Sequence, residues 1–200
     1  MRFATEDLQV LFSDLADLMA AERDNLCALD GEIGDADHGI AMEQGMAGAA
    51  AAAREVTDRD LQMLFNAAAK GFLNAVGASS GPLYATALMW AGKRIGNTAS
   101  IPNGGLRHVI TAMADGIQYR GKAEVGQKTM LDAWRPAADV ASRSGTAAET
   151  VAAAEKGADS TKNMVASLGR AARLADRSLG HPDPGAVSAV MIIRAICARF

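Results

Sequence analysis

The sequence predicts an all-α protein, an up-and-down bundle or barrel of about eight antiparallel helices. Three observations predict this class. Apolar residues recur at the i, i+3, i+4, i+7 spacing of an amphipathic helix, the helical stretches are rich in Ala, Leu and Met, and glycine and proline mark short connections. No stretch shows a convincing strand-like alternation of polar and apolar residues.

The first helix is predicted from about residue 6 to about residue 29. Its apolar positions fall on one helical stripe: Leu8, Leu11, Phe12, Leu15, Leu18 and Met19. An acidic, glycine-containing run follows, and we expect that run to end the helix.

Further helices are predicted at about 40–55, 59–75, 82–96, 105–119, 130–143, 147–156, 160–176 and 184–198. Glycine, proline and small polar residues mark the connections at 77–82, 96–105, 121–126, 143–146 and 180–185. Helices joined by short loops pack as antiparallel neighbours, so alternate loops lie at the same end of a bundle. We therefore expect these segments to meet at one end: the acidic run, 77–82, 121–129 and 180–185.

Composition excludes several classes of function. The 200 residues are 50% apolar and carry a formal net charge of −3, so one domain over 1–200 is expected and nucleic acid is not an expected partner. No run reaches the ~18 uninterrupted apolar residues of a membrane span, and acids stand where a signal peptide would be apolar, so no membrane association is expected. Cys27 and Cys197 lie in apolar, helix-like stretches, which suits reduced thiols and a cytoplasmic location.

The acidic run at 29–39 is the strongest functional signal. It holds Asp30, Asp35 and Asp37 among glycines. Two carboxylates ~5 Å apart repel by roughly 3 kcal/mol at an effective dielectric of about 20, so we expect a divalent cation to hold them together. Clustered carboxylates suit a hard ion such as Mg²⁺, Ca²⁺ or Mn²⁺ rather than zinc. Since positions i, i+5 and i+7 do not share one patch of a helix, the run is expected to form a loop.

Two alternatives compete with a magnesium site. An EF-hand calcium loop that begins at Asp35 would need glycine at position 6 and glutamate at position 12, where this sequence has Ile40 and Met46. Mg²⁺ is therefore the better interpretation, and Mg²⁺ usually shares its coordination with substrate phosphates. A solvated acidic loop without a ligand stays open from these residues alone.

The 77–82 run suits either phosphate binding or a plain helix start. Ser79 and Ser80 precede Pro82, which takes the first position of the next helix and leaves free N–H groups that favour phosphate. A structural cap without a ligand stays open. The run also fits the Gly-x-Ser-x-Gly elbow of serine hydrolases, but that elbow requires a preceding strand, and residues 66–76 have a helical pattern.

Two other segments carry weaker signals. Residues 116–123 have P-loop spacing, but Ala123 stands where Ser or Thr would bind magnesium and the setting is helical, so a P-loop NTPase is rejected. The 121–130 segment is a candidate lining of a nucleotide site. Asp183 and Pro184 form a good helix start that needs no function.

Four motifs occur along the chain in a fixed order. They are Gly34-Asp35-Ala36-Asp37-His38-Gly39, Gly77-Ala78-Ser79-Ser80-Gly81-Pro82-Leu83, Gly121-Lys122-Ala123-Glu124 with Lys128-Thr129-Met130-Leu131-Asp132, and Gly180-His181-Pro182-Asp183-Pro184-Gly185-Ala186. Together they resemble the nucleotide-binding L subunit of dihydroxyacetone kinase, over nearly the whole chain. The resemblance implies one L-subunit-like domain over 1–200, an all-helical barrel of eight antiparallel helices with the nucleotide at one rim.

The resemblance also implies site residues, motif by motif. Asp30, Asp35 and Asp37 would hold two Mg²⁺ ions that bridge the phosphates of ADP or ATP. Phosphate contacts are implied for His38, Gly39, Ile40, Ala41, Ser79 and Ser80. Nucleoside contacts are implied for Gly121, Met130, Arg170, Asp183, Pro184 and Gly185. No catalytic side chain is implied, because phosphoryl transfer needs no covalent protein nucleophile.

The implied activity is transfer of a phosphoryl group from the bound nucleotide to dihydroxyacetone held on a separate K subunit. The chain is similar to the bacterial phosphotransferase-system type, in which ADP stays bound and a phosphoryl-donor protein of that system rephosphorylates it. The alternatives are the L subunit of an ATP-dependent triose or tetrose (erythrulose-like) kinase and a non-catalytic nucleotide or metal sensor. The oligomeric state stays open, a homodimer included.

Three positions bear on how this chain departs from the family pattern. Ala41 stands where many relatives have Asn, and Gln127 stands where an acid is common, so we expect a phosphate contact or the local charge to differ. Ala36, in place of the commoner Gly, matches the phosphotransferase-type relatives.

Overall fold

A computed structural model describes residues 2–77 and 80–199. These residues form nine α-helices and two short strands: β1 (Arg2–Ala4), α1 (Thr5–Ala21), α2 (Arg23–Ile33), α3 (His38–Arg54), α4 (Leu61–Ala75), α5 (Ser80–Ile95), β2 (Ser100–Pro102), α6 (Leu106–Gly121), α7 (Leu131–Ser142), α8 (Ala147–Ser160) and α9 (Pro184–Cys197). Short 3₁₀ helices occupy Asn103–Gly105, Thr161–Asn163 and Ala171–Ser178. Among the described helices, none is both long and apolar enough to cross a membrane. The all-α prediction is confirmed.

The helices pack in chain order around a closed ring. From α3 to α8, each helix packs against the next one along the chain, as short antiparallel connections require. α1 packs against α3, and α9 packs against α8 and α1, which closes the ring. α2 follows α1 and lies against α3 and α9. The predicted up-and-down arrangement is confirmed.

Apolar side chains fill the ring, and small residues let its helices approach closely. Phe12 and Phe65 meet edge to face with their ring centroids 6.1 Å apart, and both are buried. Where α3 packs on α4, a Cβ added to Gly48 would lie 2.6 Å from the carbonyl oxygen of Gly71. A larger residue at Gly48 would therefore push the two helices apart.

The connections lie at two ends of the barrel. At one end, which we name the acidic rim, α2, α4, α6 and α8 finish and α3, α5, α7 and α9 begin. At the opposite end, β1 pairs antiparallel with β2, with Phe3 opposite Ile101. The sequence predicted no strand, so this pair is a correction. Each strand has 3 residues, which is too short to show an alternation of polar and apolar side chains.

The first predicted helix is wrong in two respects. It breaks at Glu22, where ψ is 1°, and so divides into α1 and α2. α2 then continues to Ile33, whose side chain is buried. Gly34 ends α2, and a Cβ there would lie 2.9 Å from the carboxyl carbon of Asp30. The acidic run is thus a helix end followed by a short loop at 34–37, and the expectation of a loop throughout is wrong.

The predicted helix at 160–176 is also wrong. α8 extends to Ser160, and two 3₁₀ helices follow with an irregular segment at 164–170 between them. Gly169 has a φ of 70°, a left-handed conformation that a continuous α-helix does not contain. The second 3₁₀ helix packs against α2. In this segment, contact with α2, which is distant in the sequence, decides the conformation, and the helical pattern of the sequence does not.

Candidate functional site

Three aspartates converge at the acidic rim. Ligand oxygens of Asp30, Asp35 and Asp37 all lie within 4.8 Å of one another. Asp30 belongs to the end of α2, and the other two belong to the 34–37 loop that leads into α3. Asp35 is exposed, whereas Asp30 and Asp37 are half-buried. The structure therefore brings together the three side chains that the sequence predicted as metal ligands.

Asp30 also organises this loop. Its Oδ2 accepts the backbone N–H of Asp37 at 3.0 Å and that of His38 at 3.2 Å. Both N–H groups stand at the start of α3, so a carboxylate from one helix stabilises the positive end of the next. Ala36 completes the bend with a φ of 61°, which is uncommon for a residue other than glycine. The helix end, the loop and the helix start are therefore coupled.

Arg170 is the counter-charge of two of the aspartates. Its guanidinium forms ion pairs with Asp35 and, at 2.8 Å, with Asp37. The hydrogen bond from Arg170 holds the pKa of Asp35 below its usual value, and the two carboxylates raise the pKa of Arg170. All three side chains are about half exposed, so solvent screens these pairs. The nucleoside contact expected of Arg170 stays a prediction.

His38 is tied to α9 through Ser188. The Nε2 of His38 lies 2.9 Å from the Ser188 hydroxyl oxygen, and that hydroxyl donates to the Gly185 carbonyl at 3.1 Å. Which of the two atoms donates depends on the tautomer of the imidazole ring. Burial lowers the pKa of His38, against the opposing effect of Asp30 and Asp37. Sequence reasoning missed Ser188, although it lies about one helical turn after Gly185 on the same face.

α9 begins beside the aspartates with its own cap. The Asp183 carboxylate accepts the backbone N–H of Ala186 at 2.7 Å, and Pro184 lies in the first turn. This confirms the predicted helix start. Burial raises the pKa of Asp183 to about 7, against the hydrogen bond from Ala186. The backbone N–H of Asp183 donates to Thr161 Oγ1 at 2.9 Å, which anchors the turn to the chain that leaves α8.

Asp132 shapes the loop between α6 and α7. α6 ends at Gly121, and Lys122 follows with a φ of 53°. Asp132 accepts two backbone N–H groups of the loop, from Gly126 at 2.6 Å and from Thr129 at 2.7 Å. These bonds stabilise a carboxylate that is buried. Asp132 stands in one of the sequence motifs, but the motif alone does not show this role.

The start of α5 is described from Ser80 onward. Ser80 is the first residue of α5 and is buried. Ser79, which the resemblance predicts to contact phosphate, lies outside the described residues, as does Ala78. α4 runs to Ala75, so a helix precedes the glycine–serine motif. The serine-hydrolase elbow therefore lacks the strand that it requires.

A cavity of about 180 Å³ lies between these elements at the acidic rim. Its lining includes most of the predicted site residues: Asp30, Asp35, Asp37, His38, Ala41, Ser80, Met130, Arg170, Asp183, Pro184 and Gly185. Lys128 and Thr129, from the 121–130 segment that the sequence offered as a candidate lining, also line it. Further lining residues to which the sequence gave no role are Ile33, Leu83, Leu168, Gly169 and Ala171. The structure thus gathers residues from α2 to α9 around one space.

A second cavity, of about 430 Å³, adjoins the first. The two cavities share Leu83, Thr129, Met130, Leu168 and Gly169. Gly121 lines the second cavity together with apolar side chains that include Ile117 and Ala123. A carboxylate-rich space therefore continues into an apolar one.

Among the predicted site residues that the structure describes, two line neither cavity. Gly39 is buried against α2, where an added Cβ would lie 2.8 Å from the sulfur of Cys27. The side chain of Ile40 is 44% exposed. Any phosphate contact by Gly39 or Ile40 would use the backbone of the first turn of α3, and both contacts stay predictions.

The donor set fits a hard divalent cation. The three convergent side chains all offer carboxylate oxygens, the ligands that Mg²⁺ and Ca²⁺ prefer. Mg²⁺ usually keeps water or phosphate oxygens in part of its coordination sphere, and the exposed side of Asp35 leaves room for them. A cation here would replace Arg170 as the counter-charge of Asp35 and Asp37.

The structure is therefore that of an all-helical barrel with a carboxylate-lined cavity at one rim. Residues 32–198 match the model of the DAK2 domain family. The chain therefore belongs to the DAK2 domain family, and the resemblance carried by the four motifs is confirmed.

Curated relatives support this assignment. The chain is 36% identical over 184 residues to the ADP-binding subunit DhaL of PEP-dependent dihydroxyacetone kinase 1 from Listeria innocua, covering 92% of this chain and 91% of that one. It is 36% identical over 186 residues to the corresponding subunit from Escherichia coli, with 89% of each chain covered. It is 35% identical over 176 residues to L-erythrulose 1-kinase from Mycolicibacterium smegmatis, but covers 31% of that longer protein.

A solved structure shares the fold. It is the crystal structure of the dihydroxyacetone kinase from C. freundii in complex with AMP-PNP and Mg²⁺, with a TM-score of 0.74. The match covers 95% of this chain and 33% of that one at 22% sequence identity. The likeness therefore supports the helical barrel as the fold of this chain.

Proposed function

We propose that this chain is the ADP-binding, phosphoryl-transferring subunit of a dihydroxyacetone kinase. In this proposal it holds a magnesium-bound nucleotide at the acidic rim and passes a phosphoryl group to dihydroxyacetone held on a separate K subunit. The observation that carries the proposal is the convergence of Asp30, Asp35 and Asp37 within 4.8 Å at the mouth of a cavity. Three carboxylates in this space need positive charge, and a phosphate tail would arrive with it.

The chain's own residues would bind and orient the phosphates. Two Mg²⁺ ions held by Asp30, Asp35 and Asp37 would supply positive charge that stabilises the transferring oxygens. α3, α5 and α9 all begin at the acidic rim, and helix starts favour phosphate through their free N–H groups. Backbone groups of residues 38–41 and the hydroxyls of Ser79 and Ser80 are the proposed phosphate contacts.

The adjoining apolar cavity is the proposed place of the nucleoside. Gly121 and Met130 line it, and Met130 also lines the carboxylate-rich cavity. A base in the apolar space would therefore leave its phosphates near the aspartates. Asp183, Pro184 and Gly185 line the first cavity, as does Arg170, and these four residues are the further proposed contacts of the nucleoside.

No side chain is assigned a covalent role. Phosphoryl transfer depends on alignment and charge stabilisation, which the rim can supply without a protein nucleophile. The neutral His38 is held by Ser188 and would orient the first turn of α3 toward the phosphates. Its place is consistent with binding rather than with attack on the phosphoryl group.

The proposed phosphoryl donor is a protein of the phosphotransferase system, acting in the cytoplasm. Relatives that match over nearly their whole length are named PEP-dependent or PTS-dependent ADP-binding subunits. The erythrulose kinases are longer proteins, of which this chain covers about a third. An ATP-dependent triose or tetrose kinase is therefore the second candidate, and acceptor choice would lie with the partner that holds the sugar.

The small molecule retained by the purified chain tests the proposal. Mass spectrometry of the supernatant after denaturation should detect ADP, and added ATP should not displace it from the folded protein. Rapid exchange with ATP would instead favour the ATP-dependent kinase. A chain that binds neither nucleotide in the presence of Mg²⁺ would contradict both.

A transfer assay separates a kinase subunit from a sensor. The chain would be combined with a K subunit, a phosphoryl-donor protein, dihydroxyacetone and Mg²⁺. The proposal requires dihydroxyacetone phosphate to form only when this chain is present. Nucleotide binding without any transfer would favour the non-catalytic sensor.

A further inference from the structure

Lys128 is a buried lysine in the loop between α6 and α7. Its side chain is 1% exposed, among the largest fully buried side chains of the described residues. A buried ammonium is costly unless hydrogen bonds and opposite charges compensate it. The ammonium of Lys128 therefore needs hydrogen-bond partners, and these come from outside its own loop.

The ammonium joins two other chain segments. Nζ donates to the carbonyl oxygen of Thr161 at 2.6 Å and to that of His181 at 2.5 Å. Thr161 begins the chain that leaves α8, and His181 lies in the turn that leads into α9. One side chain thus ties three segments that are distant in the sequence.

The charges around Lys128 favour this arrangement. Asp132 and Asp183 both favour the charged ammonium, which opposes the effect of burial on its pKa. Two further bonds join the segments that Lys128 bridges: Asp183 N–H donates to Thr161 Oγ1 at 2.9 Å, and the Gly180 N–H donates to the Lys162 carbonyl at 2.8 Å. The ammonium therefore completes a network rather than making an isolated contact.

Two of the three tied segments reach the cavity at the acidic rim. Thr129 and Met130 follow Lys128 directly and line the cavity on one side. Asp183 and Gly185 follow His181 and line it on another. A Cβ added to Gly185 would lie 3.4 Å from the Cβ of Met130, so the two walls are in contact distance.

We propose that Lys128 is a positioning residue that fixes the turn at 180–185 against Met130 and so sets the shape of the nucleotide cavity. Lys128 acts through backbone carbonyls, and the proposal assigns it no contact with the reacting atoms. Its effect on nucleotide affinity rests on the proposed function, whereas its effect on the turn does not.

The test replaces Lys128 with Met and uses two controls. Lys128→Met removes the ammonium and keeps an unbranched side chain. Lys156→Met is the matched control, because Lys156 is exposed on α8 and lines neither of the two rim cavities. Leu61→Ala at the opposite end of the barrel controls for a general loss of stability, because Leu61 is fully buried there.

Two readouts are taken at a temperature at which circular dichroism shows every variant folded. The first is amide hydrogen exchange of residues 180–186 in the nucleotide-free protein, which should accelerate in Lys128→Met alone. The second is the Kd of ADP with Mg²⁺ by calorimetry. It should rise about tenfold or more in Lys128→Met, because the turn would no longer be held in the binding conformation, and stay within about twofold in both controls.

Each outcome decides the proposal. Unchanged exchange in Lys128→Met would overturn it, and so would faster exchange with an unchanged Kd or an equal rise of Kd in Leu61→Ala. If the wild-type chain binds no ADP, the proposed function fails while the exchange result still decides whether Lys128 holds the turn. Should the Met variant not fold, Lys128→Gln is measured in the same way.

Chemical acetylation of the unmodified folded chain is a second test. Lys128 should resist acetylation far longer than the exposed Lys122, and equal labelling of the two lysines would overturn the proposal.

Discussion

The acidic rim and the opposite end of the barrel are formed by the same helices in different ways. At the opposite end, helices start with ordinary caps: Asp60 accepts the Met63 N–H at the start of α4, and Thr146 forms a capping box at the start of α8. At the acidic rim, α3 is capped by a carboxylate from another helix, and left-handed residues other than glycine occur at Ala36 and Lys128.

This contrast between the two ends locates the candidate site within the fold. Left-handed backbone and buried charge each cost stability, and they persist only where surrounding contacts enforce them. Among the described residues, the connections at the rim hold four of the five left-handed residues other than glycine, and Ser144 at the opposite end is the fifth. The buried charges of Lys128 and Asp132 also lie at the rim. Left-handed backbone and buried charge therefore mark the candidate site. We expect substitutions at the rim to change nucleotide binding and substitutions at the opposite end to change stability.

The largest expected effect is on stability and belongs to the opposite end. Leu61→Ala should lower the free energy of unfolding by about 2–5 kcal/mol, because it opens a cavity around a fully buried side chain. Urea denaturation measures the change. The Kd of ADP with Mg²⁺ should stay unchanged while the variant is folded, and a large loss of affinity would break the separation between the two ends.

The second effect is on binding and belongs to the rim. Asp35→Ala or Asp37→Ala should leave a folded protein whose magnesium-dependent ADP affinity falls at least about 100-fold, a loss of about 2.7 kcal/mol. The physical reason is the loss of one of three carboxylates that would share the cation. Asp58→Ala, at an exposed aspartate between α3 and α4, is the control. Calorimetry that finds unchanged affinity in either rim variant would refute the ligand assignment.

The third prediction concerns pH and Asp183. Its folded pKa of about 7 lies above the ~3.9 of an unfolded aspartate, so the folded state binds more protons between these values. Its contribution to the free energy of unfolding is complete below pH ~4 and is lost as the pH rises through about 7. Over this range the free energy of unfolding falls by at most about 1.4 kcal/mol per pH unit because of this group. Asp183→Asn keeps a capping side chain and should remove the fall that Asp183 causes.

Urea denaturation of both proteins between about pH 4.5 and pH 7.5 measures the difference in slope. Asp60→Asn makes the same exchange at the cap of α4 and serves as the control. If wild type and Asp183→Asn lose stability in parallel across this range, the Asp183 carboxyl is not the source of the pH dependence.

The smallest effect is expected at Arg170. Arg170→Gln removes the guanidinium that pairs with Asp35 and Asp37, so Mg²⁺ alone should bind a few-fold more tightly to the nucleotide-free protein. Exposed ion pairs are worth at most about 1 kcal/mol each, which limits the gain. Arg173→Gln is a control on the same segment. Weaker Mg²⁺ binding in Arg170→Gln would show that Arg170 supports the cation site rather than competing with it.

Much of the barrel could be predicted from the sequence because its helices follow local rules. The predicted helix at 184–198 agrees with α9 at Pro184–Cys197, since Asp183 and Pro184 mark its start. The predicted helix at 160–176 failed because contact with α2 and the left-handed Gly169 override its pattern. The break at Glu22 likewise has no strong signal in the sequence.

The candidate site was predictable in its charges and less so in its geometry. Repulsion among Asp30, Asp35 and Asp37 indicates a shared cation from the residue types and their spacing alone. The place of Asp30 on a helix, where it caps α3, depends on a contact between two helices that no spacing rule describes. Ser188 and Lys128 act through partners far away in the sequence, so their roles needed the fold.

A crystal structure of the chain grown with ADP and Mn²⁺ in place of Mg²⁺ would show whether the three aspartates bind a cation together with the nucleotide. Anomalous scattering locates the manganese, which takes the same oxygen ligands. We expect anomalous peaks in contact with the carboxylates of Asp30, Asp35 and Asp37 and with the phosphates of ADP. Carboxylates that face solvent with no peak beside them, while ADP is bound, would contradict the account.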